Sequence, residues 1–208
     1  MLALSSVLFL VSCEAPGNEK AVESDPAVNL FQELRRRPLS LPSSKANKPC
    51  AGERHATHIP GIPAQAALGK GPVYSVFPAI PRGLDLFPTE EATPFSGSRW
   101  RGAEALFVSE PEYDGPALIR GGQIDGEERL GFGEGETPLW ELRLPAREWE
   151  LVDELRVWDG ERVQLSAGWR VQRTTIRIAA DGCYAMQLDG ESFSQVIEFG
   201  AELQPGPT

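Results

Sequence analysis

Histidine is reduced to two residues, His55 and His58, and lysine is scarce and absent after Lys70. Both histidines lie early in a proline-rich stretch, which leaves a Ser-His-Asp triad little to be built from. Neither Ser96-Gly97-Ser98 nor Ser192-x-Ser194 has the strand-to-helix setting of a nucleophile elbow. Gly131 to Gly135 lacks the Lys-Ser/Thr ending of a phosphate loop. No Cys-x-x-Cys spacing exists, which argues against a structural zinc site. Excess positive charge is lacking too. A formal net charge of -10 repels phosphates and argues against nucleic acid as a partner. No fixed-period repeat points to a propeller or solenoid. The one long apolar run, Met1 to Ser12, is too short to span a bilayer as a helix.

What the chain has in quantity is glycine (21) and proline (18), the balance of many short strands joined by turns. The alternation of Asp181 to Phe199 marks a hairpin, with the turn expected at Asp189-Gly190. Tyr184, Met186 and Leu188 share one face of its first strand, and Phe193, Ile197 and Phe199 one face of the second. Further strands are expected at Gly71 to Phe77, Arg99 to Val108, Ala117 to Arg120 (broken by Gly121-Gly122), Trp140 to Leu144, Arg162 to Leu165 and Arg173 to Ile178. Pro81 to Pro94 reads as irregular, and Gly131 to Gly135 as a flexible loop. Arg147 to Trp158 fits helix or strand, with a strand near Leu155 to Trp158 preferred. About seven to nine strands at this spacing predict an all-β, immunoglobulin-like antiparallel β-sandwich. Gly182-x-Tyr184 before the penultimate strand agrees with it, because such sandwiches often fix a corner there with a tyrosine.

The apolar start fits the core of a secretory signal. Leu10-Val11-Ser12-Cys13 resembles the bacterial lipobox, although no Lys or Arg precedes the apolar run. The resemblance implies a signal peptide over 1–12 and a lipidated Cys13 that anchors the chain to a bacterial membrane, on its periplasmic or extracellular face. With Cys13 lipidated, Cys50 and Cys183 remain. In an oxidising compartment such a pair tends to bond, so a Cys50–Cys183 disulfide is expected. Residues 13–48 read as a flexible tether holding a short helix near 26–37. Asp25 suits its cap and Pro26 its first turn, Ala27, Leu30, Phe31 and Leu34 make one apolar face, and Pro38 ends it. The sandwich is expected over 49–202 and a flexible tail over 203–208.

Gly115-Pro116-Ala117-Leu118-Ile119-Arg120-Gly121 with Asp125-Gly126, Trp169-Arg170, Gly182-Cys183-Tyr184-Ala185 and Asp189-Gly190-x-Ser192-Phe193-Ser194 resembles a group of uncharacterised bacterial secreted proteins and lipoproteins. The resemblance covers roughly Gly71 to Phe199 and implies a single immunoglobulin-like domain, in which Glu150 to Leu165 is an insertion. It implies no activity.

Four features are candidates for chemistry. Trp100 between Arg99 and Arg101 offers a ligand contact by stacking, unless alternation buries the ring in the core. His55 and His58 are candidate metal ligands, while Met186 reads as core packing. Glu104, Glu110, Glu112 and Asp114 supply carboxylates of the kind glycoside hydrolysis pairs, with no pairing legible. The leading reading is a membrane-anchored, non-catalytic envelope lipoprotein, without cofactor, that binds a protein or envelope-polymer ligand. The alternatives are a small envelope hydrolase of carbohydrate or ester, and a periplasmic metal-binding module using the two histidines.

Overall fold

The computed structural model describes residues 26–43, 50, 59, 61–62, 67–77, 84–86, 98–146, 149–156 and 162–203. Cys13, His55 and His58, the expected signal segment and residues 204–208 lie outside them. Among the described residues one helix, α1 (Pro26–Arg36), precedes thirteen strands: β1 (Ala67–Leu68), β2 (Val73–Val76), β3 (Leu84–Leu86), β4 (Arg101–Ser109), β5 (Ala117–Gln123), β6 (Gly131–Phe132), β7 (Leu142–Leu144), β8 (Glu150–Leu151), β9 (Glu154–Arg156), β10 (Arg162–Gln164), β11 (Arg170–Ile178), β12 (Gly182–Gly190) and β13 (Ser194–Leu203). The first sheet runs β1-β2-β4-β11-β6, with β8 also on β11, and the second runs β3-β13-β12-β5-β7. All pairings are antiparallel except β3 with β13. The chain crosses between these two sheets repeatedly, into the second at β3, β5, β7 and β12 and back to the first at β4, β6 and β8, and β12 and β13 form a hairpin. This is an immunoglobulin-like antiparallel β-sandwich.

Period-two alternation explains the core. Ala105 and Phe107 of β4, Ile176 and Ile178 of β11, Tyr184, Met186 and Leu188 of β12, and Ile197 and Phe199 of β13 all point between the sheets. Tyr184 lies opposite Phe199 and Met186 opposite Ile197. The Tyr184 hydroxyl donates back to the Ala180 carbonyl at 2.8 Å, which fixes the corner between β11 and β12. Gly182, at φ +149°, enters that corner where a Cβ would lie 2.4 Å from the Gln123 amide. No side chain fits there without displacing Gln123.

Both outer faces of the sandwich are covered. On the first sheet Leu106, Val108, Tyr74, Val76 and Val171 pack beneath Leu155 and Val163 of the β9–β10 hairpin, with Ile59 and Ile62 alongside. Of the expected insertion, β8 joins the sheet edge to edge and the β9–β10 pair lies over its face. Strand β9 occupies 154–156, and Asp153 is exposed beside it, so no acid has to be buried for Leu155 to point inward.

On the second sheet, β12 is buried on both sides from Cys183 to Gly190. The cover is the segment after the helix. Phe31 and Leu34 of α1 pack on Leu118, a burial worth about 1.5–3 kcal/mol per side chain. Gln187 Nε2 donates to the Pro38 carbonyl at 3.1 Å and its Oε1 accepts from the Ser40 amide at 2.8 Å. Leu41 packs on Ile124, Ala185 and Cys183. Cys50 closes the strap through its disulfide to Cys183, with Cα atoms 5.4 Å apart. Alternation sends Tyr184 inward and Cys183 outward, so the bridge joins strap to sheet and does not cross the core. Within the segment expected as a flexible tether with a short helix, Phe31 to Leu41 is docked on the domain.

Four local expectations change. The two central residues of the β12–β13 turn are Glu191 and Ser192, because Gly190 N–H bonds to the Phe193 carbonyl at 3.0 Å and Asp189 is already paired with Ser194. Gly121-Gly122 does not break β5, which runs to Gln123. A Cβ on Gly121 would lie 2.4 Å from the Ala185 carbonyl oxygen, so the glycine permits close strand approach. The expected loop at Gly131 begins as strand β6 against Ile176 and Arg177, and β3 interrupts the expected irregular stretch.

Candidate ligand-binding surface

Trp100 stands just before β4, on the outward face that Gly102 and Glu104 continue. Arg177 lies opposite Gly102 across the β4–β11 ladder. The Arg177 side chain is fully buried. It donates to the Gly135 carbonyl and, at 3.2 Å, to the Glu136 carbonyl, so the loop after β6 wraps over it. Burial lowers its pKa from the ordinary guanidinium value. Its Cζ sits 5.7 Å from the Trp100 ring centroid.

From Trp100 the cluster continues outward. The Trp140 ring packs against it at 5.7 Å and 54°, and the Arg129 guanidinium lies over Trp140 at 4.1 Å. Arg99 stands 5.5 Å from the Trp100 ring and is ion-paired with Glu128. The order Arg177–Trp100–Trp140–Arg129 alternates cation and indole at the ends. Such contacts are worth roughly 0.5–2 kcal/mol each, more where water is excluded. The inner end is buried. The outer end is open: Trp140 is 37% and the adjacent Leu139 58% exposed. Leu139 is held by an exchange of backbone hydrogen bonds with Phe132 at 2.9 and 3.0 Å. The surface therefore offers a rigid apolar contact next to a cation.

Of the residues expected at this contact, Trp100 and Arg99 belong to the cluster. Arg101 does not join the stack; it donates to the Ser98 and Trp100 carbonyls, both at 2.9 Å, and steadies the entry to β4. Trp140, expected as the inward start of a half-buried strand, precedes β7 and faces outward into the cluster. Arg129, Leu139 and Arg177 carried no motif. The pairing of β6 with β11 and the bridge between Phe132 and Leu139 bring their stretches together.

The carboxylates do not converge. Glu104 pairs with Arg173 at 2.9 Å, and Glu110 accepts the Tyr74 hydroxyl, which together with burial raises the Tyr74 pKa. Glu112 and Asp114 are exposed. Met186 is in the core. Among the described residues no three His, Cys, Asp or Glu groups gather as metal ligands, and no helix is long and apolar enough to cross a membrane.

A second concavity, an open groove of about 650 Å³, runs between the strap and β13, lined by Arg37, Pro38, Lys70, Gln187, Ser194 and Val196 among others. Beneath it the Asp189 carboxylate, fully buried, accepts from Arg120 at 2.8 Å, Ser194 at 2.7 Å and Gln187 at 2.9 and 3.0 Å. These polar groups serve one another and position the strap.

No protein-family model and no curated protein sequence matches the chain. Among solved structures it has a distant likeness to a mutant of the CFA/I enterotoxigenic E. coli adhesin CfaE. The identity is 9% and the TM-score 0.31, over 63% of this chain and 48% of the adhesin's. The chain thus spans about half that protein's length. A likeness this remote carries no functional argument.

Proposed function

We propose that this chain is a membrane-anchored, non-catalytic cell-envelope lipoprotein whose sandwich domain binds a protein or envelope ligand. One observation carries the binding half: an indole and a leucine are held open to solvent by a stack of arginines and a second tryptophan. Exposed apolar groups cost solubility and are normally dispersed singly. Here they are adjacent and immobilised. The envelope half rests on the lipobox-like Leu10 to Cys13 and is supported by the Cys50–Cys183 disulfide, a bond that persists in oxidising compartments.

Two experiments test it. Metabolic labelling with a fatty acid should mark the wild-type chain and not Cys13→Ala; an unlabelled wild type ends the lipoprotein reading. Capture of envelope material by the purified chain should fall at least tenfold with Trp140→Ala; equal capture by both proteins removes the surface from the proposal.

A further inference from the structure

We infer that Trp140, Leu139 and Arg129 contact a partner protein that presents an apolar side chain beside a carboxylate. This rests on the binding reading above and narrows the ligand from any envelope component to a protein.

A saccharide ring packs its C–H face on a bare indole face and needs hydrogen-bonding groups around it. Trp140 has one face of its indole already occupied. One face of its ring carries the Arg129 guanidinium at 4.1 Å, and Trp100 leans on it from another side. Its most exposed neighbour, Leu139, presents only methyl groups. The surface open to a ligand is the exposed part of an indole, a leucine side chain and a guanidinium.

Those groups match the centre of a protein interface. Tryptophan and arginine are enriched among the residues that dominate such contacts, and they act best when surrounding contacts exclude water. The stack also holds Trp140 and Arg129 in place before a partner arrives, which removes part of the ordering cost of association. Charge selects the rest of the partner. Arg99 is already paired with Glu128, and Arg143 with Glu141 at 2.8 Å, a carboxylate it shares with Arg35. Arg129 is exposed and forms no ion pair within the described residues, the one described contact of its guanidinium being the ring of Trp140. A guanidinium with a free edge takes a carboxylate through paired N–H donors. An apolar side chain over Leu139 and the exposed part of Trp140, with an acid beside it, would satisfy all three residues.

The test uses the full chain in detergent, a peptide array and one glycan. The array displays hexapeptides that vary the spacing between one leucine or phenylalanine and one glutamate; the glycan is chitohexaose. The wild type should bind a subset of the acid-bearing peptides and lose at least tenfold in affinity with Arg129→Glu, less with Arg129→Lys. The best peptide should shift the Trp140 indole N–H resonance in a ¹H–¹⁵N spectrum, while chitohexaose leaves it unmoved. Binding that survives Arg129→Glu overturns the inference, as does an array with no peptide dependent on Trp140. A Trp140 resonance moved by chitohexaose overturns it too, yet leaves the binding reading standing. A concentration-dependent shift with no probe present would assign the surface to a second copy of this chain.

Discussion

Arg37, at the end of the strap's helix, donates to the Gly190 carbonyl at 2.6 Å, across 153 residues of sequence. The same guanidinium reaches the Phe193 and Glu191 carbonyls at 2.7 and 3.0 Å, so one side chain clamps the whole tip of the β12–β13 hairpin. Its own carbonyl accepts from Arg120 at 2.9 Å, and Arg120 in turn pairs with buried Asp189 at 2.8 Å. Strap, hairpin and β5 are thereby one polar unit. Arg37→Ala should cost about 1.5–3 kcal/mol, the range for hydrogen bonds to a charged group. Amide hydrogen exchange should accelerate in residues 26–36 and at the hairpin tip, while the core strands keep their protection. Unchanged exchange in the helix would show that α1 is held without the clamp.

The disulfide is expected to act on the same strap. Closing a loop of 133 residues restricts the unfolded chain by about 4–5 kcal/mol in the chain-entropy model. Replacing Cys50 and Cys183 together by alanine should lower the denaturation midpoint by an amount approaching that value. It should also expose Leu41 and the outer face of β12 to exchange. A double variant as stable as the wild type would mean that the noncovalent contacts alone restrain the strap.

All three tyrosines of the chain have raised pKa values: Tyr74, Tyr113 and Tyr184. Burial is the largest cause in each, and Tyr113 is pushed up to about 12. A phenol whose folded pKa exceeds its unfolded value of 10.0 contributes stability that is intact below pH 10 and is lost as pH rises toward 12. Absorbance titration should therefore show little tyrosinate until above pH 10, then a steep rise coincident with unfolding. Tyr113→Phe should make the alkaline loss of stability shallower. Free titration of all three phenols near pH 10 in the folded chain would contradict their burial.

On the acid side the informative group is Glu141. Its hydrogen bond with Arg35, whose Nε donates at 2.8 Å, holds the carboxyl below its ordinary value of 4.5; burial opposes this, and Arg143 assists. A depressed folded pKa gives stability that is present above the unfolded value and lost as pH falls through the folded one. Docking of α1 should therefore weaken below about pH 4.5, and Glu141→Gln should remove that part of the pH dependence. Fluorescence from a probe on α1, followed from pH 6 to pH 3, would report it. A curve identical in both proteins would assign the acid response to other groups.

Sequence alone determined the strands whose faces differ. Alternation at Tyr184, Met186 and Leu188 named a core face without reference to any partner, because period two is a local property of the chain. The helix at Pro26–Arg36 was legible for the same reason: its proline start, apolar spacing and proline stop are all local. Cysteine bookkeeping reached the Cys50–Cys183 pair. Tertiary structure decided what no local signal contains. Gly121 reads as a breaker until the Ala185 carbonyl is seen pressed against it. The strap reads as tether until Gln187 and Arg37 hold it. The surface at Trp140 draws on the lead into β4, the strand β11, the turn before β6 and the stretch before β7, brought together by strand pairing. Its composition is written in the sequence, but its proximity is a consequence of register, and register is set by which faces the whole sandwich must bury.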